Sequence, residues 1–430
     1  MYIVYSLLLG FAALISLPWW LLQMARLGKY RAGFRERMGA VPARLQQKNA
    51  PGSIWIHAVS VGEVLAISQL VGELTRQEPD RQVFVSTTTA TGQALARQRF
   101  GEHRVFYMPL DFRFALRPYF ASLQPALLIL AETEFWPNLL HMAKKHGARV
   151  AVVNARISDR SFPRYRRFRS FFSRVLSDID LFLAQTEEDA GRLKQIGAGE
   201  SRVRVSGNLK FDIRLSGDSQ IVSQLRNAIP ATAPVVVCGS TTEGEEELVL
   251  DAFRQLLQHF PEAVMILAPR HPERFEKVAG LIGSAGFSLT RRSKWSPAVG
   301  IAAGTIFLLD TVGELAAVYA LADVAFVGGS LVPLGGHNIL EPAQHGVAVL
   351  TGPNTFNFRE IVRIFQQSCG LRIVTAENLG TVLVELLANP GQRECLGNRA
   401  HELFIANTGA TSRTLAALQP LLPGKSTVTR

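Results

Sequence analysis

The sequence predicts an α/β protein with two doubly wound domains of parallel strands. Short apolar runs alternate with amphipathic segments, the alternation stops over a polar stretch, and it then restarts. Runs this short, separated by helical segments, are typical of buried parallel strands in βα units. A chain of 430 residues is also longer than one compact core normally accommodates, so two domains are expected.

The two domains and their strands follow from this pattern. In the first domain, residues 26–211, strands are predicted at 54–59, 83–86, 105–108, 126–131, 150–153, 181–184 and 203–205. The polar stretch 212–233 is interpreted as the linker. In the second domain, residues 234–430, strands are predicted at 235–238, 264–268, 305–309, 324–327, 347–350 and 371–374. The last helical stretch, 399–422, could fold back over the first domain.

Composition limits the classes of protein that need to be considered. Apolar residues make up 47% and charged residues 19% of the chain, which is typical of a folded protein rather than a disordered one. A formal charge of +11 favours an anionic partner, which could be nucleic acid, a phospholipid surface or a phosphorylated substrate. Three widely spaced cysteines (Cys238, Cys369, Cys395) indicate a reducing compartment and argue against a disulfide framework.

The N-terminal segment, residues 1–25, carries no charged side chain and is predicted to be a membrane-anchor helix. Five basic residues follow it between positions 26 and 37, so the positive-inside rule places the rest of the chain on the cytoplasmic side. Pro18 and the pair Trp19-Trp20 leave two arrangements open, a single-pass helix and a monotopic helix that lies in the interface.

Residues 327–358 form the most informative stretch of the chain. They are predicted to run from a strand through the glycine pairs Gly328-Gly329 and Gly335-Gly336 into a helix. Asn338 is suited to the N-cap of that helix, and Glu341 completes a capping box. Glycines and a helix start favour a phosphate-bearing ligand, although one capped helix would give part of the same pattern.

The first domain offers carboxylates directly after predicted strands. Glu63 follows Ser60 by three residues, so it is interpreted either as a capping residue or as a general base that accepts a proton from a hydroxyl group. Glu132 and Glu134 stand beside Phe135 and Trp136, a combination that favours binding of sugar hydroxyls over a solvated loop.

Cations and amides also follow strands of the first domain. Asn154, Arg156 and Lys210 are weak candidates individually, because each is also an ordinary surface residue. The stretch 161–174 holds five arginines, four phenylalanines and a tyrosine. This mixture suggests nucleic acid in a soluble protein, but beside a membrane anchor it is better interpreted as a face for anionic headgroups.

In the second domain, polar residues again follow the strands. The turn Ser240-Thr241, the pair Arg270-His271 and the turn 313–315 each also have a structural explanation. Because all of them fall at strand ends of one domain, they are predicted to form a nucleotide site in which a guanidinium neutralises phosphate.

Together these segments resemble one family, the 3-deoxy-D-manno-octulosonic acid (Kdo) transferases of lipid A assembly. The matching motifs run in order from residue 57 to residue 358: HAVSVGE, AETEFWPN, NARIS, GNLKFD, APRHPER, DTVGEL, VGGSLVPLGGHNILEPA and GPNTFNF. The resemblance implies a GT-B fold, in which two Rossmann-like domains face each other across a cleft. It also implies inverting transfer of Kdo from CMP-Kdo to a phosphorylated, acylated lipid A precursor.

The resemblance also implies roles for individual residues. Glu63 would be the general base and Glu132 a second essential acid on the acceptor side. The residues expected to bind substrate are Ser60, Gly62, Glu134, Asn154, Arg156, Lys210, Ser240, Thr241, Arg270, His271, Gly313, Glu314, Leu315, Gly329, Ser330, Gly336, His337, Asn338 and Glu341. No metal and no cofactor are expected, and CMP-Kdo is expected to bind as the donor substrate. The expected partners are the lipid A precursor and anionic lipids of the inner membrane, without nucleic acid.

Three other interpretations remain. Another lipid-directed GT-B transferase would use a UDP-sugar and would be distinguished by donor binding. An NAD-dependent oxidoreductase would need G-x-G-x-x-G after the first strand, where this chain has HAVSVGE. A non-catalytic membrane scaffold would leave the charged groups at the strand ends without explanation.

Overall fold

The computed structural model describes residues 2–27, 32–45, 52–212 and 219–423, and the chain divides into two compact units. Unit 1 comprises Met1–Ile213 together with Thr408–Arg430, and unit 2 comprises Arg214–Asn407. Each unit is built on one parallel sheet with helices against it, which confirms the predicted α/β class and the doubly wound sheets.

Unit 1 contains a seven-stranded parallel sheet. Its strands are β1 (Ser53–His57), β2 (Val83–Thr87), β3 (Val105–Tyr107), β4 (Pro125–Ala131), β5 (Arg149–Ala155), β6 (Leu181–Ala184) and β7 (Val203–Val205). Their order across the sheet is β3-β2-β1-β4-β5-β6-β7, and all neighbours are parallel. The order reverses between β1 and β4, where the crevice at the carboxyl ends of the strands is the usual ligand site of such sheets.

Helices connect the strands of unit 1 and cover the sheet. They are α1 (Tyr2–Leu27), α2 (Phe34–Arg37), α3 (Val61–Gln77), α4 (Ala90–Phe100), α5 (Arg113–Leu123), α6 (Pro137–Lys145), α7 (Phe162–Arg167), α8 (Arg169–Leu176) and α9 (Glu187–Gln195). Side chains of β1 alternate between the two faces, with Trp55 in one core cluster and Ile54 and Ile56 in the other. Burial of each such side chain contributes about 1.5–3 kcal/mol.

One further helix of unit 1, α18 (Ala410–Leu418), comes from the C-terminal part of the chain. Its Leu415 and Leu418 are buried in the same core cluster as Ile54 and Ile56. The Asp212 carboxylate accepts the Gly409 N–H at 2.6 Å and also the Thr411 N–H. The Asp212 side chain therefore caps the start of α18 and joins this C-terminal helix to the segment that follows β7.

Helix α1 packs against unit 1 through its polar residues. The Tyr2 hydroxyl donates to Asp178 at 2.6 Å, the Tyr2 ring stacks on His141 with 4.0 Å between ring centroids, and Ser6 hydrogen-bonds Asn138. The opposite face exposes a row of large apolar side chains: Ile3, Val4, Leu7, Leu8, Phe11, Leu14 and Ile15. No helix within the described ranges is long and apolar enough to cross a bilayer.

Unit 2 contains a second seven-stranded parallel sheet. Its strands are β8 (Val235–Thr241), β9 (Val264–Pro269), β10 (Leu289–Arg291), β11 (Ile306–Leu308), β12 (Val324–Val327), β13 (Ala348–Thr351) and β14 (Arg372–Ile373). The order is β10-β11-β9-β8-β12-β13-β14, which reverses between β8 and β12. Strand β10 was not predicted from the sequence, because this three-residue edge strand is only partly buried and contains Thr290 and Arg291.

The helices of unit 2 are α10 (Ser219–Ala228), α11 (Glu246–Leu257), α12 (Phe275–Ser284), α13 (Leu315–Val318), α14 (Leu340–Ala343), α15 (Arg359–Gln367), α16 (Leu379–Ala388) and α17 (Pro390–Asn407). Helix α10 corrects the interpretation of 212–233 as a linker. Its Ile221 and Leu225 are buried in the core beside β8, since the segment is amphipathic rather than uniformly polar. Residues 213–218 of the predicted linker lie outside the described residues.

Candidate functional site

Glu63 lies where the strand order of unit 1 reverses, in the first turn of α3 after β1. The residue is only 8% exposed. One carboxylate oxygen accepts the Val59 N–H at 2.8 Å and the other accepts the Ser60 hydroxyl at 3.1 Å. The predicted capping box is thus modified, because Glu63 bonds the amide one residue before the cap and Ser60 bonds the carboxylate.

The environment of Glu63 makes it a good proton acceptor near neutral pH. Burial, and after it the nearby Glu132 carboxylate, raise the pKa of its carboxyl from 4.5 to about 7. The bonds from Val59 and Ser60 oppose the shift without cancelling it. A base with a pKa near 7 combines a usable deprotonated fraction with useful basicity.

The loop after β4 brings two more carboxylates to the same place. Glu132 forms an ion pair with Lys210, with 3.5 Å between Oε1 and Nζ. Glu134 accepts the Trp136 indole N–H at 2.8 Å, and burial raises the pKa of its carboxyl. Both influence the pKa of Glu63, so the three glutamates form one acidic cluster with Lys210 at its side.

Backbone conformation around this cluster is unusual. Glu132 and Asn154 have φ values of 57° and 53°, in the left-handed region that residues other than glycine rarely adopt. Asn154 is held in this conformation because its Oδ1 accepts the Leu209 N–H at 3.0 Å. Next to Glu132, the Thr133 hydroxyl donates a hydrogen bond to the carbonyl of Arg156. Local strain of this kind is a feature of functional sites, and here it concerns two predicted site residues.

The sequence analysis missed the residues that support the turn before Glu63. The backbone N–H groups of Thr88 and Thr89 both donate to the Val59 carbonyl, at 3.2 and 3.1 Å. A side chain at Gly92 would lie 3.2 Å from the backbone of Val59 and Ser60, so glycine lets α4 approach that turn. The threonine-rich segment after β2 was the available signal. Gly62, in contrast, has space around it.

Unit 2 places a cationic and a neutral group together after β9 and β12. Arg270 and His271 directly follow β9, and both act on His337. Burial and these two neighbours lower the pKa of His337 to about 4, so its imidazole is neutral at pH 7. The Nε2 atom of His337 is buried and has no hydrogen-bond partner among the described residues.

Asn338 and Glu341 complete this cluster, although not in the predicted way. The helix that contains Glu341, α14, has only four residues and begins at Leu340, so its N-cap is Ile339 and not Asn338. Instead the Asn338 side chain accepts the Leu340 N–H and lies 3.4 Å from the Glu341 carboxylate. Burial raises the pKa of Glu341, and Arg270 opposes that shift. A helix this short has little dipole to offer a phosphate.

The first glycine loop is already occupied by a side chain of the protein. The N–H groups of Gly329 and Ser330 donate to the Glu245 carboxylate at 2.5 and 2.8 Å. The Ser330 hydroxyl is fully buried and donates to the Val327 carbonyl. In the second glycine pair, the Gly336 N–H donates to the carbonyl of Gly329 at 2.7 Å. These contacts are all internal to the fold.

Among the remaining predicted residues of unit 2, one has a buried hydroxyl without a partner in the described part of the chain, and others are engaged within the fold. Ser240 has a φ of 55° at the end of β8, and the buried Thr241 hydroxyl has no partner among the described residues. Glu314 is held by Arg292 at 2.8 Å, so its carboxylate is engaged. Gly313 has a φ of 97° with open space around it, and Leu315 is a partly buried side chain that packs close to Gly239.

Acidic residues elsewhere have structural partners. The only Asp-x-Asp spacing in the sequence is Asp178-Ile179-Asp180. Asp178 accepts the Tyr2 hydroxyl, while Asp180 pairs with Lys144 and Arg149 at 2.9 Å each. The part of the chain described here contains no group of three or more His, Cys, Asp or Glu residues placed to hold a metal ion.

Comparison with known proteins identifies the family. Residues 32–213 match the family described as 3-deoxy-D-manno-octulosonic-acid transferase (kdotransferase). A 3-deoxy-D-manno-octulosonic acid transferase of Haemophilus influenzae is 37% identical over 376 residues, which cover 86% of this chain and 88% of that protein. The chain belongs to the Kdo transferase family. A relative of the same name from Bordetella pertussis is 36% identical over 430 residues, covering 97% of this chain and 99% of that protein.

Membership of the Kdo transferase family confirms the resemblance that the motifs indicated. The chain is a glycosyltransferase that transfers Kdo in lipopolysaccharide biosynthesis. The comparisons give no support to the interpretations as an oxidoreductase or a scaffold. A solved UDP-GlcNAc 2-epimerase from Neisseria meningitidis has a TM-score of 0.55 and 14% identity, covering 86% of this chain and all of that one. At that identity the likeness concerns the fold alone.

The raised pKa of Glu63 predicts a pH-dependent effect of Glu63→Gln on stability. A carboxyl with a raised pKa favours folding below about pH 4.5, and this contribution is lost as pH rises through about 7. Glutamine can accept the Val59 N–H and donate to Ser60. We therefore expect the free energy of unfolding of the variant, taken relative to that of the wild-type chain, to increase by roughly 1–3 kcal/mol from pH 5 to pH 8.

Thermal unfolding at both pH values measures this gain. The matched control is Glu394→Gln, because Glu394 is exposed. A Glu63→Gln effect of equal size at pH 5 and pH 8 would contradict the assignment of the raised pKa.

Proposed function

We propose that the acidic cluster of unit 1 activates the acceptor hydroxyl. We further propose that the unit 2 cluster binds CMP-Kdo; this cluster consists of Arg270, His271, His337, Asn338 and Glu341. The acceptor would be the phosphorylated lipid A precursor that the family resemblance implies. The observation that carries the proposal is the buried Glu63, whose carboxyl has a pKa near 7 at the point where the strand order reverses.

The proposed reaction is one displacement with inversion at the anomeric carbon of Kdo. Glu63 takes the proton from the acceptor hydroxyl, whose oxygen forms the new bond to the anomeric carbon. The bond from that carbon to the phosphate oxygen breaks, and CMP leaves with the electron pair. Glu132 and Glu134 would accept hydrogen bonds from acceptor hydroxyls, and Lys210 limits the repulsion within the acidic cluster.

The departing CMP carries negative charge, and the side chains of the unit 2 cluster are suited to bind it. The structure records no ion pair for Arg270 among the described residues, so its guanidinium is available for a bidentate contact with phosphate. The neutral imidazole of His337 can donate or accept one hydrogen bond without adding charge. Asn338 and Glu341 offer acceptors for ribose hydroxyls. In contrast, Arg274 of the same motif pairs with Glu246 and Glu243.

Glu63→Gln tests the role of the general base. We expect transfer to fall by roughly 100- to 10,000-fold, because the amide cannot accept the proton, while CMP affinity stays unchanged. The wild-type rate should rise with pH through about 7 and then level off, since the base must be deprotonated. Mass spectrometry of the lipid product after incubation with CMP-Kdo measures transfer and counts the Kdo units added.

Normal turnover by Glu63→Gln would rule out its role as the base. If the folded wild-type chain added no Kdo to the lipid A precursor, the proposed substrates would be wrong. A donor screen with UDP-sugars would then separate this enzyme from the UDP-dependent GT-B transferases.

Arg270→Ala tests the phosphate contact. Loss of a charge-assisted bond should lower CMP affinity by roughly 10- to 100-fold, because such bonds contribute about 1.5–3 kcal/mol. Isothermal titration calorimetry measures this directly. Arg254→Ala is the matched control, since Arg254 forms an exposed ion pair with Asp251. Equal CMP affinities for the two variants would exclude Arg270 from the site.

We also propose that unit 1 binds the cytoplasmic face of the inner membrane through α1. The helix directs its polar residues inward and an apolar row outward, which suits a monotopic helix in the interface. Tyr5 of α1 contacts Phe171 of α8. Next to α8 lies an exposed basic group formed by Arg164, Arg166, Arg167 and Arg169, which favours anionic headgroups.

The double substitution Leu8→Glu with Phe11→Glu should reduce binding to vesicles of phosphatidylethanolamine and phosphatidylglycerol by at least tenfold. Two charges in the apolar row oppose insertion into the interface. Co-sedimentation measures binding, and Val299→Glu is the control, because Val299 is an exposed apolar residue of unit 2. Undiminished binding by the double variant would exclude α1 as the membrane contact.

A further inference from the structure

A fully buried carboxylate, that of Glu245, stands at the start of α11 where the strand order of unit 2 reverses. Both of its oxygens accept hydrogen bonds from the surrounding chain. Oε1 accepts the N–H groups of Ser330 and Leu331, both at 2.8 Å. Oε2 accepts the N–H of Gly329 at 2.5 Å, the N–H of Thr242 at 3.1 Å and the hydroxyl of Thr242 at 2.9 Å.

Successive backbone N–H groups that point into one concavity form an anion-binding nest. The nest at residues 329–331 follows β12, where the sequence predicts a phosphate site. In the structure its anion is supplied by the protein itself. Gly328 is required for this arrangement, because a Cβ there would lie 2.9 Å from the Glu245 carboxylate and 2.8 Å from the Ser240 carbonyl.

The loop held by Glu245 in turn supports His337. A Cβ at Gly329 would lie 2.7 Å from two ring atoms of His337, so the imidazole rests directly on the backbone of the loop. The carbonyl of Gly329 accepts the Gly336 N–H, and the Ser330 hydroxyl accepts the Gly352 N–H at 2.8 Å. Displacement of the loop would therefore displace His337 and the second glycine pair together.

We propose that Glu245 is a positioning residue for donor binding. It acts as a fixed internal anion that shapes the loop 328–331 and, through that loop, sets the place of His337. The donor phosphate is then bound by Arg270 and its neighbours rather than by the loop amides. The inference rests on the proposed assignment of this cluster to CMP-Kdo.

The chain offers a matched control in the adjacent residue. Glu246 is equally buried and begins the same helix, but its carboxylate bonds Arg274 at 2.9 Å and has no recorded contact with the loop. Substitution of either glutamate by glutamine removes one buried charge. Only Glu245→Gln places an amide N–H₂ group against backbone N–H donors of the loop, because both oxygens of Glu245 accept bonds from it.

The experiment compares Glu245→Gln, Glu246→Gln and the wild-type chain by calorimetry with CMP and by steady-state kinetics. We expect Glu245→Gln to lower CMP affinity at least tenfold and to raise the KM for CMP-Kdo, with little change in the KM for the lipid acceptor. Glu246→Gln should lower the thermal midpoint but keep CMP affinity within about twofold of wild type. Unchanged CMP affinity in Glu245→Gln, or equal losses in both variants, would overturn the proposal.

Thr242→Val provides a second, nearly isosteric variant if Glu245→Gln does not fold. It removes the hydroxyl that orients Oε2 of Glu245 and should lower CMP affinity about threefold, whereas normal affinity would count against the proposal. The titration of the wild-type chain with CMP distinguishes an absent donor site from a donor site that does not depend on Glu245. If the wild-type chain does not bind CMP, the proposed function of the cluster fails, and this inference fails with it.

Discussion

The reversal of strand order within each parallel sheet is the constraint on which both candidate sites depend. On either side of β1 in unit 1, and of β8 in unit 2, the connections run in opposite directions, so the loops at the carboxyl ends diverge and leave a crevice. The turn that carries Glu63 and the loop that carries Glu132 flank that point in unit 1. The turn that carries Glu245 and the loop 328–331 flank the corresponding point in unit 2.

Three buried glutamates have different hydrogen-bond partners in the structure. Glu63 accepts two hydrogen bonds and stands near two other acids, so burial dominates and the pKa of its carboxyl rises to about 7. Glu245 accepts five bonds and organises a loop, while Glu246 is paired with Arg274. We propose proton transfer for Glu63 alone among the three, because its carboxyl has a pKa near 7 and other acids stand beside it.

The candidate sites of the two units also differ in the charge of their side chains. The unit 1 cluster is acidic with one lysine, which suits a hydroxyl that must lose a proton. The unit 2 cluster combines Arg270 with the neutral His337, which suits a phosphate that leaves with negative charge. The apolar row of α1 and the exposed arginines of α7 and its neighbourhood give unit 1 a surface suited to a lipid acceptor.

The sequence by itself determined the sheets, because apolar runs between amphipathic segments predict buried parallel strands, and it missed only the partly exposed edge strand Leu289–Arg291 among those described. It also determined which residues follow strands, including Glu63, Glu132 and Arg270, and the motifs that led to the family. Only the tertiary structure decided which of those side chains remain available. Glu314 is paired with Arg292, and the amides of Gly329 and Ser330 are taken by Glu245, which stands more than eighty positions earlier. Local sequence patterns reveal which groups lie at a strand end, but the partners that occupy them come from distant segments, which only folding brings into contact.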